Sequence, residues 1–128
     1  MPKFDHAVVE FLSTLLYARE QTHIFHWQNT GPGSFARHEA LGEFYEAIPG
    51  LADRYAEAYI GKYGPLTDFS RDGEFFNGDK QVMSFYTELE KMVGESASDL
   101  PKDPDLVNIH ADVLEALHHL LFKLKRLA

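Results

Sequence analysis

The chain has 128 residues, of which 45% are apolar and none is cysteine, and it carries a formal net charge of −8 at pH 7. This length suits one domain over residues 1–128, and the lack of cysteine excludes disulfides and thiolate-bound metal ions. The acidic charge disfavours nucleic acid as a partner, because phosphate groups repel it.

The first predicted helix covers residues 4–27. Apolar positions recur there at steps of three and four residues, which is typical of an amphipathic helix. Residues 29–34, with the sequence NTGPGS, have the composition of a turn and end the helix. Ser34 is the predicted N-cap of the next helix. The apolar face consists of Phe4, Val8, Phe11, Leu15, Ala18, Thr22 and Phe25.

The second predicted helix covers residues 35–62 and contains a proline near its middle. Pro49 removes one backbone hydrogen bond and crowds the carbonyl of Tyr45, so we expect a kink over residues 45–50 and not a break. The apolar and aromatic face consists of Leu41, Tyr45, Ile48, Ala52, Tyr55, Tyr59 and Tyr63.

Residues 61–78 are irregular and too long for a simple connection, so they predict a crossover between distant helix ends. Asp79 is the predicted N-cap of the third helix, which ends at Gly94, and Asp103 and Pro104 suit the start of the fourth. The two apolar faces consist of Val82, Tyr86, Leu89 and Val93, and of Leu106, Ile109, Val113, Leu117, Leu120, Leu124 and Leu127.

The connections are therefore short, long and short. Two antiparallel helix pairs joined by a crossover make the ferritin-like form of the four-helix bundle. We expect an all-α fold of this kind, with the long crossover between helices 2 and 3.

Five residues could bind a metal ion. His23 and His26 lie three residues apart near the end of the first helix, and His38 follows the turn. Asp53 and Glu57 are four apart, so their carboxylates share one face of the second helix. Imidazole with carboxylate suits iron, manganese or zinc. An acidic pair of this spacing is also common on solvated faces, and His23 could be an ordinary surface histidine.

His38 and Asp53 lie fifteen residues apart on one helix, which is roughly 22 Å at about 1.5 Å per residue. One metal ion cannot contact both in the same chain. If they share a site, the carboxylates come from a second copy, and a two-fold dimer with antiparallel second helices would form two identical sites.

The segment HIFHWQNTGPGSFARHEALGEFYEAIPGLADRYAEAYIGKYG resembles the Dps proteins, the small dodecameric ferritins. In that family a histidine before Trp-Asn is followed twelve residues later by a second histidine, and an Asp and a Glu four apart complete the set. His26, His38, Asp53 and Glu57 match these positions. The resemblance implies an iron-oxidising site across a two-fold interface, with dimers assembling into a dodecamer.

Three features depart from the family pattern. Gly42 stands where the family places a bridging acid, which favours one metal ion over a dinuclear centre. Pro49 is atypical and could alter dimer packing, and the chain lacks a lysine-rich N-terminal tail for holding DNA. The chain is also similar to short phage and bacterial relatives with no assigned function.

We therefore expect a Dps-like protein that oxidises and sequesters Fe(II) with peroxide or oxygen and protects against oxidative stress. The alternative is a non-catalytic ferritin-like interaction module, for example phage-encoded, whose acidic surface binds a basic host or structural protein. No apolar run reaches the roughly 20 residues of a membrane helix, and no signal peptide is evident. We expect no membrane partner and a location in the cytoplasm, or in the host cytoplasm if the protein is phage-encoded.

Overall fold

The computed structural model describes residues 4–70 and 73–127, and this part of the chain contains four α-helices and no strand. The helices are α1 (Asp5–Gln28), α2 (Ser34–Tyr63), α3 (Val82–Ser96) and α4 (Pro104–Arg126). The predicted all-α architecture with four helices is confirmed. Within the described residues, no helix is long and apolar enough to span a membrane.

Two predicted helix starts were wrong. Gly33, not Ser34, is the N-cap of α2, because its left-handed conformation (φ 76°) turns the chain into the helix. Helix α3 begins after Gln81, whereas the Asp79 carboxylate accepts hydrogen bonds from the amide N–H and hydroxyl group of Thr30. Asp79 thus ties the start of α3 to the turn between α1 and α2.

Two further boundaries differ from the prediction in smaller ways. Helix α3 continues past Gly94 to Ser96. Asp103 is the N-cap of α4 and Pro104 its first residue, as predicted, but the Asp103 side chain does not cap the helix. Its carboxylate instead binds the Lys62 ammonium group and accepts a 2.7 Å hydrogen bond from the Tyr63 hydroxyl. Helix α2 passes through Pro49 without a break.

The helices form a ring in which α1 contacts α2 and α3, and α4 contacts the same two. Neighbours run antiparallel. Asp5, at the start of α1, accepts a hydrogen bond from the hydroxyl of Tyr59 near the end of α2. Across α3 and α4, the imidazole of His110 lies 2.8 Å from the carbonyl oxygen of Val93.

The segment 64–81 crosses the length of the molecule, and its residues 71 and 72 lie outside the described residues. Helix α2 ends beside Asp5, whereas α3 begins near Thr22, whose hydroxyl is 2.6 Å from that of Tyr86. The start and end of the crossover are therefore separated by roughly 25 Å along α1. The fully buried amide of Gln21 holds it by exchanging two hydrogen bonds with the backbone of Phe76.

The core lies between the four helices and follows most of the predicted faces. In α2, however, Phe44 is buried and Tyr45 is only half-buried, because Tyr45 packs toward α1. Leu127 is also 54% exposed. The largest fully buried side chains include Tyr55, Tyr59, Tyr86, Phe25, Leu15, Leu41, Ile48, Leu106 and Leu117.

Candidate metal site

The turn between α1 and α2 brings His26 and His38 together. Their imidazole rings stack with centroids 3.8 Å apart and planes 24° apart. Arg37 braces the turn, because its guanidinium group donates to the Asn29 side chain at 2.8 Å and to the carbonyl oxygens of Thr30 and Pro32. The sequence spacing alone did not indicate the role of Arg37.

The surroundings of His26 favour its neutral form. Its Nδ1 lies 3.1 Å from the His38 carbonyl oxygen. A carbonyl can only accept, so Nδ1 carries the proton and Nε2 keeps a free lone pair. Burial, followed by the proximity of the His38 imidazole, lowers the pKa of His26 below its ordinary value of 6.5. Neutral imidazole is the form that binds metal ions.

The His26 ring packs closely against Gly42 of α2. A Cβ atom at position 42 would lie 3.3 Å from Cε1 of His26 and 3.7 Å from Nδ1. Any side chain at this position would displace the imidazole or crowd it. The close approach of His26 to α2 thus leaves no room for a carboxylate side chain at position 42.

His23 lies at the edge of this cluster, in an aromatic environment. Its ring centroid is 4.0 Å from that of Trp27, 4.2 Å from that of Tyr45 and 6.5 Å from that of His26. Arg19 lies over the Tyr45 ring, with its guanidinium carbon 5.2 Å from the ring centroid. These contacts favour a packing role for His23.

Asp53 and Glu57 are exposed on α2, away from the two stacked imidazoles. Asp53 borders a cleft lined by Leu16, Pro49 and Phe69. The structure thus brings together His26 and His38 and keeps both carboxylates apart from them. Across residues 4–70 and 73–127, no group of three or more His, Asp or Glu side chains could hold a metal ion.

All of the predicted α2 ligands nevertheless lie on one side of the helix. At about 100° per residue, His38, Asp53 and Glu57 fall within an arc of about 100°, and Gly42 and Pro49 lie between them. This arc borders α1, because Gly42 meets His26 and Pro49 lines the same cleft as Leu16. His38 therefore lies on the same exposed stripe of α2 as the two carboxylates and is separated from them along the helix axis.

The comparisons with known proteins give a family but no activity. A family model with the description "Family of unknown function (DUF5856)" matches residues 26–124. No curated protein and no solved structure matches the chain. The matched range includes His26, His38, Asp53 and Glu57, and leaves out His23.

Proposed function

The chain belongs to DUF5856, a family of unknown function, and we propose from its own residues that it is a Dps-like protein with a ferritin-like bundle that binds iron between two subunits. In this proposal His26 and His38 of one chain and Asp53 and Glu57 of a second hold a single ion. The iron is the substrate, which is oxidised and sequestered. The observation that carries the proposal is the stacked pair of imidazoles, because His38 of this pair lies on the same stripe of α2 as the two exposed carboxylates.

The chemistry of the donors supports an iron-type site. Two imidazoles and two carboxylates form a mixed nitrogen and oxygen set, which suits Fe(II) and would also suit manganese or zinc. The hydrogen bond from His26 Nδ1 to the His38 carbonyl fixes the tautomer in which the Nε2 lone pair is available to a cation. Because Gly42 supplies no bridging acid, the set fits one ion better than two.

A two-fold dimer would join the two halves. Pairing α2 antiparallel with its copy places His38 opposite residues 53–57 when the axis passes near Glu46, midway between them. The surface beside this stripe has the apolar character of an interface, since Leu16 is 50% exposed and Phe69 is 48% exposed. Closed assemblies up to a dodecamer would be built from such dimers.

Anaerobic titration of the purified protein with Fe(II), followed by air or peroxide, tests the proposal. We expect one ion per chain in the wild type and at least about tenfold weaker binding in His38→Ala, because one of four donors is lost. His119→Ala, which removes an exposed imidazole from α4, is the matched control and should bind normally. Absence of binding in the wild type, or equal binding in His38→Ala, would contradict the proposal.

A second candidate function is supported by the surface around the α1–α2 turn. Trp27 is 67% exposed and Phe35 is 77% exposed, and large exposed aromatics are typical of protein interfaces. We propose as the alternative a non-catalytic module that binds a basic host or structural protein through this turn. A stoichiometric partner that binds the metal-free protein but not Trp27→Ala would favour it. Retention by the Trp27→Ala variant would exclude this surface.

A further inference from the structure

A long groove runs between α1 and α3, the pair of neighbouring helices with the least extensive contact. Two adjoining cavities of about 590 and 260 Å³ form it, and both are lined by Glu10, Thr14 and Met92. From Ser84 to Ser96 the groove extends for about 18 Å along α3. Its apolar lining consists of Ala7, Val9, Phe11, Phe76, Phe85, Leu89, Met92 and Val93, with Met92 48% exposed near the middle.

The edges of this groove are acidic. Five carboxylates line it, and no lysine or arginine occurs among its described lining residues. His6 is the one imidazole there, and it already pairs with Glu10 at 3.3 Å. An occupant of matching chemistry would combine an apolar anchor with positive charges. The carboxylates are those of Glu10, Asp68, Glu88, Glu95 and Asp99.

The last turns of α4 have this chemistry. Phe122 is 55% exposed, and Lys125 and Arg126, three and four residues later, share its side of the helix. Leu127 adds a second exposed apolar side chain, at 54%. Lys123 is already held by Glu43 of α2, whereas Lys125 and Arg126 make no ion pair within the described residues. This tip, residues 122–127, presents an aromatic anchor beside two free cations.

The tip and the groove do not meet within one chain. Both Phe122 and Met92 remain about half exposed in the folded structure. The pairing of Lys123 with Glu43 fixes the end of α4 against α2, whereas the groove lies between α1 and α3. A contact between tip and groove therefore requires a second copy.

We propose that the α4 tip of one copy docks in the α1–α3 groove of another. Phe122 would pack on the Met92 thioether, a favourable contact between sulfur and an aromatic ring, while Lys125 and Arg126 would lie beside Glu88 and Glu95. The two surfaces differ, so the contact is heterologous and adds copies in sequence until a ring closes. It uses none of the proposed iron ligands and none of the α2 stripe.

Analytical ultracentrifugation of charge-reversal variants tests this contact. We expect the wild type to sediment above the mass of two chains, and Glu88→Lys/Glu95→Lys and Lys125→Glu/Arg126→Glu each to fall to two chains or fewer. The variant that carries all four substitutions should regain the wild-type mass, because its groove is basic and its tip acidic. Asp105→Lys, which makes the same change of charge as one of the two groove substitutions but lies at the far end of α4, should leave the mass unchanged.

Circular dichroism of each variant checks that the helices remain folded, which we expect because the substituted side chains are exposed. A wild type no larger than two chains would overturn the proposal, as would paired reversals that do not lower the mass or a fourfold variant that fails to recover it. Phe122→Ala provides a second route, since removal of the anchor should dissociate the assembly without any change of charge. An unchanged mass in folded Phe122→Ala would likewise overturn the docking mode.

Discussion

At the scale of single residues, His26 connects the sequence pattern to a chemical property. Its ring stacks on His38, its Nδ1–H donates to a backbone carbonyl, and Gly42 leaves the space in which it lies. Burial and the neighbouring imidazole lower its pKa, so at neutral pH the side chain is ready to bind a cation. The close packing of the His26 ring therefore explains why a glycine occupies position 42 within a helix.

Alanine substitutions at Gly42 and Gly50 separate this seating effect from helix propensity. A Cβ atom at Gly50 would meet no atom within 4 Å, so Gly50→Ala should raise the free energy of unfolding by about 0.5–1 kcal/mol. Gly42→Ala should raise the free energy of unfolding by less, because the His26 ring must shift. Urea unfolding measures the difference.

An NMR pH titration of the same two variants provides a second measurement. In Gly42→Ala the displaced imidazole becomes better solvated, so the pKa of His26 should rise toward 6.5. In Gly50→Ala it should stay at its wild-type value. Equal stabilisation by both substitutions, with no change in the His26 titration, would show that Gly42 does not seat the ring.

At the scale of helices and connections, periodicity predicts the buried faces well but not the contacts that fix the ends. Val8, Leu15 and Tyr55 are buried as the spacing indicates. The roles of Gln21 and Asp79 could not be predicted, because each depends on a partner about 50 residues away in sequence. The residues next to a polar side chain in the sequence give no sign of such a distant partner.

Gln21 should be the most sensitive anchor of the crossover. Gln21→Leu leaves the N–H and C=O groups of Phe76 without their buried partner, and should lower the free energy of unfolding by about 1–3 kcal/mol. Gln28→Leu is the matched control, since the Gln28 side chain is only half-buried, whereas that of Gln21 is fully buried, and its hydrogen bond to Asn77 is exposed. Chemical denaturation measures the free energy of unfolding of both variants. An equal decrease in the two would show that the buried amide of Gln21 stabilises the fold no more than that of Gln28.

At the scale of the whole molecule, the sequence predicts the four-helix architecture and the pairing of His26 with His38 across the turn. It also indicates that Asp53 and Glu57 cannot join them within one chain, because helix geometry separates them by roughly 22 Å. The packing of His26 against Gly42 and the hydrogen bonds of Arg37 to the turn could not be predicted from the sequence. Both arise from contacts between α1, α2 and their turn. A site that contains all four side chains would therefore require two chains.

Subunit complementation tests this central claim most directly. His38→Ala and Asp53→Ala are each unfolded, mixed in equal amounts and refolded together, and Fe(II) binding is measured for each variant alone and for the mixture. In a mixed dimer one site receives both substitutions and the other receives neither, so random pairing should restore about a quarter of the wild-type sites. Each variant alone should lack high-affinity binding. A mixture that binds no more Fe(II) than the separate variants would contradict an intersubunit site.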